Sequence, residues 1–344
     1  MKNILSAFFI SIIISSAFIS CSGGDKKTLS SDTLKISDTL SPEIAKVNKE
    51  IAADPNNPEL YNKRAILLYD IAKLDEAFAD IRTALNLDSS KADYFLTLSD
   101  IYFGKGKISN CKKSIEKAMQ LDAKNANALL KYAELQLYFD EYKSTLEYIT
   151  KALDIDKINA KAYYMRGMTY KLMGDTAKAV TNFQTTIDQD ADYYHAYIQL
   201  GMLYAIKKSK LAEDYYNNAI KLNPKSIEAH FNIAVYYQDV EQFEEAVAEY
   251  DKVLQLNSKY KQAHYNLGYI NLVYLLDYKQ AIKHFTNAIA CDAKYAEAYY
   301  NRGYAYELIK DYTSAKADYD KALDLKPNYE MPIKGLNRID ASVK

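Results

Sequence analysis

The chain has 344 residues, 49% of them hydrophobic and 26% charged, with 44 basic side chains against 45 acidic ones, 3 cysteines, 33 tyrosines and no tryptophan. A net charge of −1 excludes nucleic-acid binding through bulk positive charge, and three widely spaced cysteines exclude a disulfide scaffold or a clustered zinc site. What remains is the composition of an ordinary chain that folds in water.

In chain order, residues 1–20 come first: Lys2, then an apolar run from Ile4 to Ile19 broken only by serines. This pattern is read as a signal peptide and set apart from the fold. The run is 16 residues long, short of the roughly 20 a membrane-spanning helix needs, so a permanent transmembrane anchor is the weaker reading. It ends on Phe18-Ile19-Ser20-Cys21 and continues Ser22-Gly23-Gly24. This segment resembles the signal of a bacterial lipoprotein, with Phe18 where leucine is usual. The resemblance implies that Cys21 is acylated and becomes the first residue of an exported, lipid-anchored protein. Each buried methylene adds about 0.8 kcal/mol, so two or more acyl chains hold firmly. Ser22, where an acidic residue would signal retention at the inner membrane, implies an outer-membrane address facing the periplasm. An ordinary secretory signal with an incidental Cys21 is the alternative. Residues 21–41 are rich in Ser, Thr, Asp and Lys and carry too little apolar surface to offset chain entropy, which predicts a flexible tether.

Residues 42–57 read as the second helix of a broken repeat and form a capping helix. From Pro58 a unit of about 34 residues recurs eight times: 58–91, 92–125, 126–159, 160–193, 194–226, 227–260, 261–295 and 296–329. The fifth block is one residue short and the seventh one residue long. Small residues hold position eight (Ala65, Ser99, Ala133, Gly167, Gly201, Ala234, Gly268, Gly303) and position twenty (Ala77, Cys111, Thr145, Ala179, Ala212, Ala246, Ala281, Ala315). Position 24 is large: Ile81, Ile115, Ile149, Phe183, Tyr216, Tyr250, Phe285, Tyr319. Small groups facing large ones let two helices approach and interdigitate. Positions 4, 8 and 11 share one helical face, and 20, 24 and 27 another, so each block is a helical hairpin. Gly106 and Gly174 fall in the turn inside a hairpin, and Pro224 and Pro327 in the turn after one. Residues 330–344 read as a closing helix and tail, which covers the apolar face an end repeat would otherwise expose.

Tyr299, Gly303, Tyr306, Ala315, Tyr319, Ala322 and Pro327 of the last block stand at signature positions of the tetratricopeptide repeat, and the blocks resemble that family over about four fifths of the chain. The family's tryptophan at position four is here Tyr, Phe, Leu or His, and Gln136 and Asn271 replace the usual aromatic at position eleven. The resemblance implies an all-α, right-handed superhelical solenoid of about eight hairpins with capping helices and no separate domain.

No catalytic constellation stands out. His230 and His264 both occupy position four of adjacent blocks and read as fillers of the tryptophan slot, too far apart to share a ligand. Cys111 and Cys291 lie five repeats apart and read as small packing residues. No phosphate loop, HExxH or CxxC is present. The carboxylates are scattered, so neither a catalytic residue nor a cofactor or metal ligand is assigned.

The stripe at positions 2, 5, 9 and 12 of each first helix is not used inside its hairpin, and by resemblance to the family it lines a concave groove. In the last three blocks it carries Phe231, Tyr265 and Tyr300 at position 5 and Tyr269 and Tyr304 at position 9, with Asn232, Asn266 and Asn301 beside them at position 6. An amide both donates to and accepts from a peptide backbone, and aromatics give contact area at low entropic cost. The arrangement resembles the asparagine ladders of peptide-binding family members, although the same residues are also close to the family average. A carboxylate clamp is excluded, because no repeat has Lys at position 5 with Asn at position 9. Blocks one to three carry Asn62, Leu96 and Leu130 at position 5, a mixed surface. The expected function is a non-enzymatic scaffold that gathers one or more envelope proteins or peptides, with no nucleic acid and with self-association through the end repeats left open. A glycan-binding surface lipoprotein is the alternative, since tyrosines stack on sugar rings; the absence of tryptophan counts against it.

Overall fold

The computed structural model describes residues 42–342; the expected signal peptide, Cys21 and the tether lie outside them. The described residues contain helices and turns and no strand. By their contacts they form two compact units that divide between Asp175 and Thr176. The sequence predicts one continuous array. In repeat architectures each helix touches only its neighbours along the chain, so a division into two sets of contacts is compatible with a single repeated unit.

The first unit holds α1 (Pro42–Ala53), α2 (Pro58–Asp70), α3 (Leu74–Leu87), α4 (Ala92–Gly104), α5 (Ile108–Leu121), α6 (Ala126–Tyr138), α7 (Tyr142–Ile155) and α8 (Ala160–Leu172). The second holds α9 (Thr176–Gln189), α10 (Tyr194–Ala205), α11 (Leu211–Leu222), α12 (Ile227–Asp239), α13 (Phe243–Leu256), α14 (Lys261–Val273), α15 (Tyr278–Cys291), α16 (Ala296–Leu308), α17 (Tyr312–Leu325) and α18 (Glu330–Ser342). In each unit the first and second helices of a block pack as a hairpin, and the second helix then packs on the next first helix. The all-α class and its hairpins are as the sequence predicts.

Periodicity fixes the packing. Ala65, Ala133 and Ala234 at position eight and Ala77, Ala212, Ala246, Ala281 and Ala315 at position twenty are fully buried. Opposite them, Ile81, Ile149, Tyr250, Phe285 and Tyr319 at position 24 are also fully buried. A Cβ added to Gly268 would lie 2.7 Å from the Phe285 ring, and one on Gly303 would lie 2.9 Å from that of Tyr319. Glycine is required at both places by close approach.

The turns inside the hairpins share one device. Each has a residue at positive φ: Ala72, Gly106, Asp140, Gly174, Lys208, Glu241, Leu276 and Lys310. In all but the seventh block the next residue's N–H donates to a carbonyl five residues back, as in Lys73 N to Leu68 O at 2.9 Å and Asp311 N to Tyr306 O at 2.9 Å. This closes the end of the first helix with a Schellman motif. The sequence marks only the two glycines, because satisfying the helix carbonyls outweighs the penalty on the other six. The extra residue of the seventh block lies in its turn, where Leu275 N takes over the bond to Ile270 O at 3.1 Å. The missing residue of the fifth leaves α11 with 12 residues against 14 in α13.

First helices start in two ways. Asn125, Asn159 and Ser226 precede α6, α8 and α12, and each accepts from a backbone N–H at 3.0 Å, as N-caps do. Before α14 and α16 the same place is held by Tyr260 and Tyr295, which make no side-chain cap.

The ends are covered as expected. Arg64 of α2 donates to Asp80 at 2.6 and 2.7 Å and reaches back to Asn48 of α1 at 2.7 Å. Arg302 of α16 donates to Asp318 at 2.7 and 2.8 Å and reaches back to Thr286 at 3.1 Å. Asn48 thus takes the place that a second helix supplies elsewhere, which is why 42–57 reads as half a repeat. At the other end α18 buries Pro332, Gly335 and Ile339. A Cβ on Gly335 would meet the Tyr319 ring at 2.4 Å.

Candidate functional site

The stripe singled out in the sequence lies on α12, α14 and α16 of the second unit. Its position-5 rings each meet the tyrosine that ends the same block: Phe231 with Tyr260 at 5.2 Å, Tyr265 with Tyr295 at 4.9 Å and Tyr300 with Tyr329 at 5.4 Å between centroids. Tyr260, Tyr295 and Tyr329 were not singled out in the sequence, although their recurrence at position 34 is visible there. Replacing a cap residue forfeits about 1 kcal/mol, and an aromatic pair returns a similar amount beyond its buried area.

At position 9, Tyr304 lies parallel to Tyr300 at 6.4 Å and 3°, with the Arg338 guanidinium 5.6 Å over its ring. Tyr269 sits edge-on to Tyr274 at 6.1 Å. Burial pushes the Tyr265 and Tyr300 hydroxyls upward from the usual tyrosine range, so both stay protonated at neutral pH.

The asparagines differ from a row of free amides. Asn266 Nδ2 donates to Tyr250 Oη at 2.8 Å, and that hydroxyl donates on to Gln238 at 3.1 Å. Asn301 Nδ2 donates to Tyr265 Oη at 3.0 Å. Asn301 and Tyr300 are each only 8% exposed. Asn266 and Asn301 therefore tie successive repeats together, because position 6 of one first helix faces tyrosines of the preceding repeat. Asn232 is half-buried and its side chain has no hydrogen-bond partner among the described residues, so in that repeat the amide is open to a ligand.

In the first three repeats the corresponding stripe is mixed, with Ile66, Asp100 and Glu134 at position 9. Leu96 and Leu130 belong to the core. The surface beside them carries Lys131 paired with Asp100, and Lys161 3.9 Å from Glu134. Burial pushes the Asp100 carboxyl upward against the pull of Lys131. The Oδ1 of Asn62 and the Oη of Tyr94 are buried without a partner among the described residues. An open cleft of about 340 Å³ between α1, α2 and α3 is lined by Asn48, Arg64, Glu76 and Asp80; Arg64 already bonds to Asn48 and Asp80 there.

Position-four histidines fill the slot between the two helices of a hairpin, and both have partners the sequence reading missed. His230 Nδ1 lies 2.6 Å from Glu249, and its Nε2 3.1 Å from Pro224 O. His264 Nε2 lies 3.1 Å from Ser258 O, which makes it the donor, and Nδ1 faces Nδ1 of His284 at 3.5 Å. Glu249 and His284 hold equivalent places on α13 and α15, so position 23 was the signal. Burial, helped by His264 and Lys283, lowers the His284 imidazole to about 4.

Cys111 is buried and its thiol is pushed up to about 11 by burial, which keeps it protonated. Cys291 is exposed, which corrects the packing role expected of it: it is the last residue of α15, past the buried Ala288. Among the described residues no group of three or more His, Cys, Asp or Glu side chains could hold a metal ion. None of the described helices is long and apolar enough to cross a membrane.

Models of the tetratricopeptide repeat match residues 92–125 and 194–226, 148–181 and 215–248, and 296–329, and a TPR-repeat model matches 241–272. No curated protein matches the chain in sequence. Among solved structures, the human IFIT1 dimer with PPP-AAAA is similar with a TM-score of 0.56 at 17% identity, over 82% of this chain and 67% of that one. A chain of the APC/C hetero-tetramer Cut9–Hcn1 is similar at 0.52 and 16% identity, over 86% of this chain and 59% of that one. PilF of Pseudomonas aeruginosa is similar at 0.52 and 16% identity, over 60% of this chain and 94% of that one. At these identities the likeness is one of fold.

Proposed function

The chain carries tetratricopeptide repeats, a type of repeat that builds protein–protein interaction scaffolds, and from that premise we propose that it is a non-enzymatic adaptor of the bacterial cell envelope. On this reading it is exported, anchored through acylated Cys21 with its repeats facing the periplasm, and holds an extended peptide segment of a partner along α12, α14 and α16. One observation carries the peptide site. Three successive repeats carry an aromatic ring at position 5 beside an asparagine at position 6, the last two add a tyrosine at position 9, and the position-5 rings are braced by Tyr260, Tyr295 and Tyr329. Braced aromatics lose little entropy on binding.

The internal bonds of Asn266 and Asn301 decide how the site is tested. Replacing either would remove a hydrogen bond that ties one repeat to the next and weaken the fold, so the informative changes are Asn232→Ala and Tyr269→Ala. Crosslinking and mass spectrometry in the native cell should recover a defined set of envelope proteins with the intact chain. That set should be lost with the Asn232→Ala/Tyr269→Ala variant, and the chain should leave the membrane fraction with Cys21→Ala. The same partners with the Asn232→Ala/Tyr269→Ala variant would refute the site, and a Cys21→Ala chain still held in the membrane fraction after a high-salt wash would refute the anchor. No protein partner, together with hits on a glycan array, would favour a glycan-binding role.

A further inference from the structure

Ile206 is the most exposed large hydrophobic side chain among the described residues, at 80%. It opens the turn between α10 and α11, which reads Ile206-Lys207-Lys208-Ser209-Lys210-Leu211. The three lysines are exposed and have no ion-pair partner among the described residues, and Leu211 is 45% exposed. No carboxylate lies between Tyr194 and Ala212. The nearest along the chain are Glu213, which accepts from Tyr237 Oη at 3.1 Å, and Asp214. Other turns inside hairpins are different: Asp140 and Glu141, Asp239 and Glu241, Asp277 and Asp311 put carboxylates there, and Lys105 is paired with Asp75.

The turn is also built to hold this pattern outward. Lys208 is at φ +50°. Its N–H donates to Ala205 O at 2.8 Å, and Ser209 N to Tyr204 O at 3.1 Å. Beneath it Tyr204 stacks on Tyr215 at 5.4 Å and 19°, and Tyr215 Oη is fixed on Gln184 at 2.9 Å. Two apolar tips flanking three unpaired ammonium groups suit a surface that is apolar a few ångströms down and anionic at its rim. Lysine is depleted from protein–protein interfaces, whereas at a bilayer its stem lies along the acyl boundary while its charge stays at the phosphates.

We propose that residues 206–211 form a membrane-docking finger that places Ile206 and Leu211 among the acyl chains of an anionic bilayer, with Lys207, Lys208 and Lys210 on the lipid phosphates. Docking through this turn is independent of any acyl anchor at Cys21 and of the peptide stripe.

Because the chain has no tryptophan, Ile206→Trp installs a single reporter in the full chain. With vesicles containing phosphatidylglycerol its emission should shift to the blue and be quenched by brominated acyl chains, and the shift should require far more lipid when the vesicles are phosphatidylcholine alone. Adding Lys207→Glu, Lys208→Glu and Lys210→Glu should lower partitioning at least about 100-fold, since each lysine contributes about fivefold at an anionic surface and each glutamate adds repulsion. A charge-matched control, Lys221→Glu with Lys225→Glu and Lys259→Glu, should bind like the parent. Unchanged thermal melting of each variant excludes misfolding. Three results would overturn the proposal: no shift with any vesicle, an equal shift with both lipids that survives charge reversal, or a shift with polyglutamate and none with vesicles.

Discussion

At Gly201 an added methyl would stand 2.5 Å from Cε1 of Tyr216, and the Tyr216 ring is itself buried. A helix interior normally favours alanine over glycine by about 1 kcal/mol. Here overpacking costs about 1–3 kcal/mol, so Gly201→Ala should destabilise the second unit by about 1 kcal/mol, read from the urea midpoint. Leu276 is the converse case. It sits at φ +56° with a largely exposed side chain, so it bears the left-handed penalty, about 1–2 kcal/mol, with little packing in return. Leu276→Gly should therefore raise stability, by about 0.5–1 kcal/mol after the entropy of glycine is subtracted. A loss of stability would show that the leucine has a packing partner in solution.

Between elements, position 23 decides what joins a hairpin. It supplies Asp80 to Arg64, Glu249 to His230, His284 to His264 and Asp318 to Arg302. The histidine pair gives a pH dependence. His284 is lowered in the folded chain to about 4 by burial and by its neighbours His264 and Lys283, whereas an unfolded histidine titrates near 6.5. The unfolded state then binds the extra proton first, so stability from this group is complete above about pH 7 and is lost as pH falls toward 4. Melting temperature against pH should fall less steeply over that window in His284→Phe than in the parent, and identical slopes would refute the assignment.

For the molecule as a whole, stability in repeat arrays comes from each unit and its neighbours, so the ends matter. Tyr319 Oη donates to Glu307 at 2.5 Å, and Arg338 of α18 binds that carboxylate at 2.8 and 2.9 Å. Removing residues 330–344 uncovers the Tyr319 ring and takes the Arg338 guanidinium away from Glu307. Hydrogen exchange measured by mass spectrometry should accelerate in α16 and α17 and stay unchanged in α2 to α7. Acceleration throughout the chain would show cooperativity that nearest-neighbour packing does not provide.

The sequence by itself determined the repeat unit, the hairpin and the half-repeat at 42–57, because helical period and the alternation of small and large residues are local properties that settle which faces can meet. It also located the stripe on α12, α14 and α16. Only the tertiary structure decided that Asn266 and Asn301 give an amide N–H to Tyr250 and Tyr265, that His264 meets His284, and that six non-glycine residues take the left-handed turn. Those outcomes depend on which polar group arrives from a neighbouring helix 16 to 36 residues away and on how helix-end carbonyls are satisfied. Neither is encoded in the residue's own spacing. The same reason separates Asn232 from the two asparagines that share its register: all three read alike in sequence, and only their neighbours make one of them available.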